Sequence, residues 1–282
     1  MSLTFSALTP TFNYGRFLPD AIESVSRQKF GGRVEHLIQD AQSSDATADY
    51  LASLGADHVR WWSRPDAGQS DALNMLLAEA SGEWIAWLNA DDFYLEGAFA
   101  CIEEVVEANP RVDVVIGDAM FVDVDGCLTR RYSAYNANPR VLRDYRCYIP
   151  SCSTFIRRSA LTGFQWDTKL RSLMDWDLWL WLVGGGAEFV HVPRPIGAFR
   201  RHADQVTQGA LSVTHPEVEI LRERYGLRTT RSFPSRAMGR VVHMASRART
   251  GAYARDLGAV PRRGGTQIWW PADKDGTSRR GS

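Results

Sequence analysis

The stretch Glu83-Trp84-Ile85-Ala86-Trp87-Leu88-Asn89-Ala90-Asp91-Asp92 decides the fold. Its first six residues read as a buried strand, and that strand runs out into two adjacent carboxylates. Acids at the end of an apolar strand are costly to bury without a counter-charge. A pair of hard oxygen ligands suits Mg²⁺ or Mn²⁺ shared with a substrate phosphate. A strand end followed by an acidic helix cap would give the same letters a plain structural meaning.

Working outward, strand and helix alternate. Leu3–Leu8 reads as a strand and Phe17–Gln28 as a helix with Leu18, Ile22 and Val25 on one face. Val34–Gln39 and His58–Trp62 are strand-like, with a helical segment, Asp45–Leu54, between them. Ser70–Ala80 carries Leu73, Leu76 and Leu77 on one side of a helix. Gly97–Ala108 is a helix that ends before Asn109-Pro110, and Val112–Ile116 is a strand. Such alternation predicts a mostly parallel sheet with helices on both faces. Right-handed crossovers then bring the strand C-termini to one edge, where open α/β sheets bind their ligands.

After Gly117 the pattern changes. Phe121–Leu128 reads as a hairpin with an Asp125-Gly126 turn. Ser153–Arg157 is a short strand, Asp175–Val183 a Trp- and Leu-rich helix, and Glu188–Val192 and Gly197–Arg201 two closing strands. From about Thr214 the chain turns helical and Arg-rich, and Val260–Ser282 has the composition of a flexible tail.

The 282 residues, 44% apolar, supply one large domain or a domain with an appendage. Ten Trp fit either an aromatic-lined cleft or an aromatic core. No apolar run reaches the ~18 residues of a membrane span, and no charged leader precedes the first strand. Four scattered cysteines, Cys101, Cys127, Cys147 and Cys152, read as reduced thiols. The simplest expectation is a cytoplasmic chain, with no nucleic-acid partner. Net charge is zero but uneven: residues 222–282 hold 14 Lys and Arg against 4 Asp and Glu.

The expected binding edge collects polar residues from successive strands: Thr9-Pro10-Thr11 with Asn13, then Asp40, then Asn89–Asp92. Each alone could serve a turn; their convergence is the argument. Arg64-Pro65-Asp66-Ala67-Gly68-Gln69-Ser70-Asp71 leads into a helix N-terminus, a natural anion site. Asp71 and Asn74 share a helix face, and Ser70 or Asp71 could equally be a helix cap. Asp175 and Asp177 open another helix. They suit a general base near the cleft or simple complementation of the helix dipole. His202, ending Phe199-Arg200-Arg201-His202, is either a ligand or a structural histidine.

Taken in order, Leu8–Tyr14, His36–Asp40 with Ser43-Ser44-Asp45, Pro65–Asn74, Trp84–Asp92, Asp175–Leu178 and Phe199–His202 resemble the family 2 glycosyltransferases of the GT-A fold. The resemblance covers about residues 2–205. It implies an α/β, GT-A (nucleotide-diphospho-sugar transferase) fold with a C-terminal helical, basic extension. It also implies an inverting, Mn²⁺- or Mg²⁺-dependent transfer from a nucleoside-diphosphate sugar to an acceptor nucleophile. Thr9, Pro10, Thr11, Asn13 and Tyr14 then match the segment that holds the nucleotide base, and Asp40 the acid that bonds it. Arg64, Asp66, Gln69, Ser70 and Asp71 match the donor-contacting loop and helix. Asn89, Ala90, Asp91 and Asp92 match the DXD-type motif, with Asp92 as direct metal ligand and Asp91 beside it. Asp175 matches the catalytic base, and His202 a position used for metal or diphosphate. Asn89 stands where many members have Asp, and Met174 where many have Glu.

The implied layout is a catalytic domain over residues 1–212, with residues 1–117 binding the nucleotide-sugar and 118–212 forming the acceptor side. A helical basic extension over 213–259 and a flexible tail over 260–282 follow. A sugar-1-phosphate nucleotidyltransferase would need a Gly-rich, basic loop where this chain has Thr9–Arg16. A non-catalytic binding module would be favoured by loss of Asp92 or Asp175, and both are present. In the extension, Arg236, Arg240, His243 and Arg247 form one helical stripe opposite Met238, Val241, Val242 and Ala245. The apolar side could pack on the catalytic domain. The basic stripe could instead meet an anionic acceptor or a membrane surface, which would make the protein peripheral at its inner face.

Overall fold

A computed structural model describes residues 2–55, 57–203, 205, 216–227 and 233–257. Its strands are β1 (Thr4–Thr11), β2 (Arg33–Asp40), β3 (Val59–Ser63), β4 (Trp84–Trp87), β5 (Phe93–Tyr94), β6 (Val114–Val122), β7 (Leu128–Tyr132), β8 (Thr154–Arg157) and β9 (Phe189–Arg200). Its helices are α1 (Leu18–Ser26), α2 (Thr47–Ser53), α3 (Gln69–Glu79), α4 (Ala98–Ala108), α5 (Pro139–Asp144), α6 (Met174–Gly184), α7 (Glu217–Tyr225), α8 (Phe233–Arg249) and α9 (Ala252–Leu257). The expected tail from Val260 lies outside the described residues.

One sheet runs β3-β2-β1-β4-β8-β6-β9-β5, with β7 pairing β6. The first four strands are parallel, so the ends of β1, β2 and β4 share one edge, as the alternation predicts. Thr11 pairs with Asp40, and Asp40 with Ser63, which fixes the register at that edge. Strand β8 is antiparallel to both β4 and β6. The two closing strands expected from sequence are one bent strand, β9, whose register against β6 shifts around Gly117 and Asp118. The Pro193 and Pro195 backbone cannot donate to a ladder, which suits that irregularity. Gly197 in β9 has no room for a side chain: a Cβ there would lie 2.0 Å from the Cys152 carbonyl oxygen.

Two cores flank the sheet. On one side Leu73 and Leu76 of α3 join the Trp- and Leu-rich α6. On the other Ala21, Val25, Phe99 and Ile102 of α1 and α4 pack with Phe5, Tyr94 and Phe155. Phe5, Phe99 and Phe155 meet edge to face at centroid distances of 4.8–5.8 Å, a favourable aromatic geometry. Trp84, Trp87, Trp166, Trp176 and Trp179 are buried, so the tryptophans build core more than they line a cleft. The four cysteines are unpaired. No helix among the described residues is long and apolar enough to cross a membrane.

The C-terminal helices pack on this body. Arg224 of α7 bonds Asp177 of α6 at 2.8 Å and Asp167 at 2.6 Å. In α8, Arg247 is buried against the Ser133 carbonyl, and His243 meets the Tyr135 hydroxyl at 2.6 Å. The stripe expected from spacing is therefore split. Its His243 and Arg247 face the body, while Met238 and Val241, expected to pack, face outward. Helical periodicity finds two faces of a helix; which one docks is decided by the surface it meets.

Candidate functional site

At the end of β2, Asp40 is fully buried. Its carboxylate accepts the Ser43 hydroxyl at 2.5 Å and the Ser63 hydroxyl at 2.6 Å. Ser43 in turn accepts the Asn13 backbone N–H at 2.7 Å, and the Asn13 side-chain oxygen accepts the Ser44 N–H at 2.8 Å. Asn13 and Gln42 both adopt φ of 58°, a left-handed turn conformation Asn tolerates well. The loops after β1 and β2 are thus zipped together. Thr9 lies two residues inside that edge, buried, its hydroxyl 2.8 Å from His36 Nε2. Burial pushes His36 down to about 3, so this imidazole is neutral. Pro10 lies within β1. The Thr11 hydroxyl at the strand end is buried without a hydrogen-bond partner.

The segment before α3 folds onto the same edge. Arg64 Nε donates to Gln39 at 3.0 Å, and its guanidinium lies over the Trp62 ring. Asp66 accepts the Gly68 N–H at 2.9 Å, and burial raises its carboxyl above the usual range. Asp71 accepts the Ala67 N–H at 2.9 Å, closing the turn at the helix start. Gly68, at φ +111°, makes that turn possible. Gln69 donates to the Asn89 side-chain oxygen at 2.6 Å, which also accepts Trp87 Nε1–H at 2.8 Å. Ser70 is buried with its hydroxyl on the Leu170 carbonyl, and Asn74 bonds the Trp166 backbone twice. These last two tie α3 to the loop ahead of α6.

Asp91 and Asp92 differ sharply. Asp92 is buried, and its Oδ1 accepts the Arg200 backbone N–H at 3.0 Å. Burial, and then the neighbouring Asp91 carboxylate, hold it well above the usual carboxylate range. Asp91 reaches His202 Nε2 at 3.0 Å and Gln205 at 3.3 Å. The His202 ring sits between Phe17 and Tyr14, at centroid distances of 4.8 and 5.6 Å. Spacing alone could not supply the counter-charge beneath the pair. It is Arg200, buried, donating to the Asp91 carbonyl, the Val124 carbonyl and Asp20. Pairing of β5 with β9 brings Arg200 there across more than 100 residues of chain.

The carboxylate oxygens of Asp91 and Asp92 suit Mg²⁺ or Mn²⁺, with the His202 imidazole beside them. Among the described residues, no three His, Cys, Asp or Glu side chains are already gathered as a metal centre. A cation held here would complete its shell with substrate phosphate, as Mg²⁺ commonly does.

Asp175 opens α6 with part of its surface exposed. Its carboxylate accepts the Trp176 N–H at 2.7 Å, and the Cys147 thiol lies 3.6 Å away. Burial lifts Asp175 to about 6, and the Glu217 charge adds to the rise. Glu217 of α7 accepts the N–H groups of Arg171, Ser172 and Leu173 at 3.0, 3.0 and 2.9 Å. That carboxylate steadies the turn into α6, a role no local motif announces. Asp177, two residues on, is fully buried and committed to Arg224 and to the Tyr225 hydroxyl at 2.8 Å. A cavity of about 190 Å³, lined by Asp113, Ser159, Trp181 and Gly185, lies at the start of β6, on the opposite sheet edge.

A sequence model of glycosyl transferase family 2 matches residues 6–165, more than half of the chain. An uncharacterised glycosyltransferase of Mycobacterium tuberculosis is 36% identical over 89 residues, 32% of this chain and 34% of its own. This chain thus spans about a third of the length of the first relatives it matches. A glycosyltransferase of PGL/p-HBAD biosynthesis from Mycobacterium bovis is 27% identical over 61% of this chain and 67% of its own. Among solved structures, Staphylococcus aureus TarS in complex with UDP-GlcNAc superposes with a TM-score of 0.64 and 15% identity. It covers 84% of this chain and 69% of its own. The mannosyltransferase PcManGT of Pyrobaculum calidifontis, in complex with GDP-Man and Mn²⁺, gives 0.57 at 16% identity, over 92% and 75%. At such identities the likeness carries the fold.

Proposed function

The chain belongs to glycosyl transferase family 2, and from that premise we propose that it moves a sugar from a nucleoside-diphosphate sugar to an acceptor hydroxyl with inversion. The carrying observation is the pairing of a polar strand edge with a carboxylate poised near neutrality. Asp40, Asn13 and the Arg64–Asp71 turn sit at the strand ends where the nucleoside would lie. Asp91, Asp92 and His202 would hold a divalent cation, Mn²⁺ or Mg²⁺, which when bound stabilises charge on the departing diphosphate. Asp175 accepts the acceptor's proton while its oxygen attacks C1 from the face opposite the diphosphate. The new C1–O bond forms as the C1–diphosphate bond breaks, so one displacement inverts the centre. A base near 6 is ionised at neutral pH yet still basic enough to take a proton. In this reading residues 1–117 bind the donor and 118–212 present the acceptor.

The test is release of nucleoside diphosphate from UDP-, dTDP- and GDP-sugars, with and without Mn²⁺. We expect metal-stimulated release for one base, lost in Asp175→Asn. No binding and no release across the whole panel would refute the reading.

A further inference from the structure

From the outward face of α8 we infer that this helix docks the protein on an anionic lipid surface. Met238, Val241 and Met244 are spaced three apart, on one face, and are 53%, 60% and 49% exposed. Three large apolar side chains one turn apart make an exposed patch of the kind that, bordered by charge, marks an interaction surface. Arg236, Arg240 and Arg249 are exposed on the same helix. No Asp or Glu occurs between Glu223 and Asp256. By helical spacing Arg240 and Arg249 border that apolar arc on its two sides, Arg236 lies toward the His243 and Arg247 stripe, and no acid on this chain segment repels phosphate. A protein partner fitting it would need an apolar groove rimmed by acids; a bilayer with anionic headgroups presents both chemistries at once.

The inward side of α8 gives the contact its rigidity. Gly239 lies against Asp144 and Tyr145, His243 against Tyr135, and Arg247 against the Ser133 carbonyl. Among the described residues the helix is thus clamped by one face and uncovered on the other. It rests beside the segment carrying Cys147, whose thiol touches Asp175. An acceptor borne on the same lipid surface would be brought near that side of the molecule. Docking itself does not depend on the proposed reaction.

The experiment is co-sedimentation of the full chain with phosphatidylglycerol-containing vesicles against pure phosphatidylcholine vesicles, at low and high salt. Wild type should pellet with the anionic vesicles only, and salt should weaken it. Each arginine near an anionic surface contributes about five-fold in partitioning, so Arg236/Arg240/Arg249→Gln should lose at least about ten-fold. Met238/Val241/Met244→Ser should lose a comparable factor when assayed at a temperature where circular dichroism shows the variant as helical as wild type, since about half of each side chain is exposed. Wild type remaining in the supernatant at low salt would overturn the inference. So would apolar-variant binding equal to wild type, or a dimer in solution that the same substitution dissolves.

Discussion

Two acid pairs, Asp91/Asp92 after β4 and Asp175/Asp177 at the start of α6, look alike as letters and differ in what holds them. At the strand end, the Asp92 carboxylate accepts the Arg200 N–H, the Arg200 guanidinium bonds the Asp91 carbonyl, and the Asp91 carboxylate meets His202. At the helix start they part: Asp177 is spent on Arg224 and Tyr225, while Asp175 keeps part of its surface open and is lifted to about 6. A strand end concentrates neighbours at one edge, so adjacent acids with different partners still sit beside the same closing segment, Arg200–His202. A helix turns by 100° per residue, so acids two apart face different ones.

The largest effect should come from Asp175→Asn, which keeps shape but cannot take a proton. Turnover should fall about 10²–10⁴-fold at unchanged nucleotide affinity, read by steady-state kinetics and calorimetry. Next, Asp92→Asn retains an oxygen for the Arg200 N–H, so its thermal midpoint should hold. Metal-stimulated turnover should nonetheless drop by about 10²–10³-fold, the scale of charge stabilisation by a cation.

For the pH profile the sign is set by a raised carboxyl. Above about 6 Asp175 is ionised and competent; below it the proton is already in place. Turnover should therefore fall about tenfold per pH unit on the acid side, with the limb missing in Asp175→Asn. Asp177→Asn should act on stability, by about 1–3 kcal/mol, because it weakens a buried hydrogen-bonded ion pair. That range belongs at its lower end, since the Arg224 side chain is 37% exposed and solvent screens it. Its turnover per folded molecule should stay near wild type; equal losses from Asp175→Asn and Asp177→Asn would erase the contrast. Smallest, Cys147→Ala removes a weak donor to Asp175 and should move the acid limb slightly upward, seen in the same profile.

The parallel half was legible because its helices and strands keep their periods. Leu73 and Leu76 face the core as their spacing requires, and the edge holding Asp40 and Asp91 follows from crossover geometry. The hairpin was legible from the Asp-Gly turn, where Gly126 takes φ +79°. What was not legible depends on long-range pairing. Arg200 reaches Asp91 from 109 positions away, and Glu217 reaches Ser172 from 45. Two-residue β5 is too short to carry a pattern, yet it positions Arg200. On α8, amphipathic spacing named two faces that the fold splits: Arg236 and Arg240 stay exposed and Val242 packs inward as expected, but Ser133 and Tyr135 offer polar partners that draw Arg247 and His243 in and leave Met238 and Val241 out.

The division of labour between the two acid pairs is tested most directly by titrating the nucleoside diphosphate of the active donor, with Mn²⁺, into Asp92→Asn and Asp175→Asn. Asp175→Asn should bind it like wild type, and Asp92→Asn should lose the metal-dependent part of the affinity. Equal binding by both variants, or loss in Asp175→Asn alone, would contradict it.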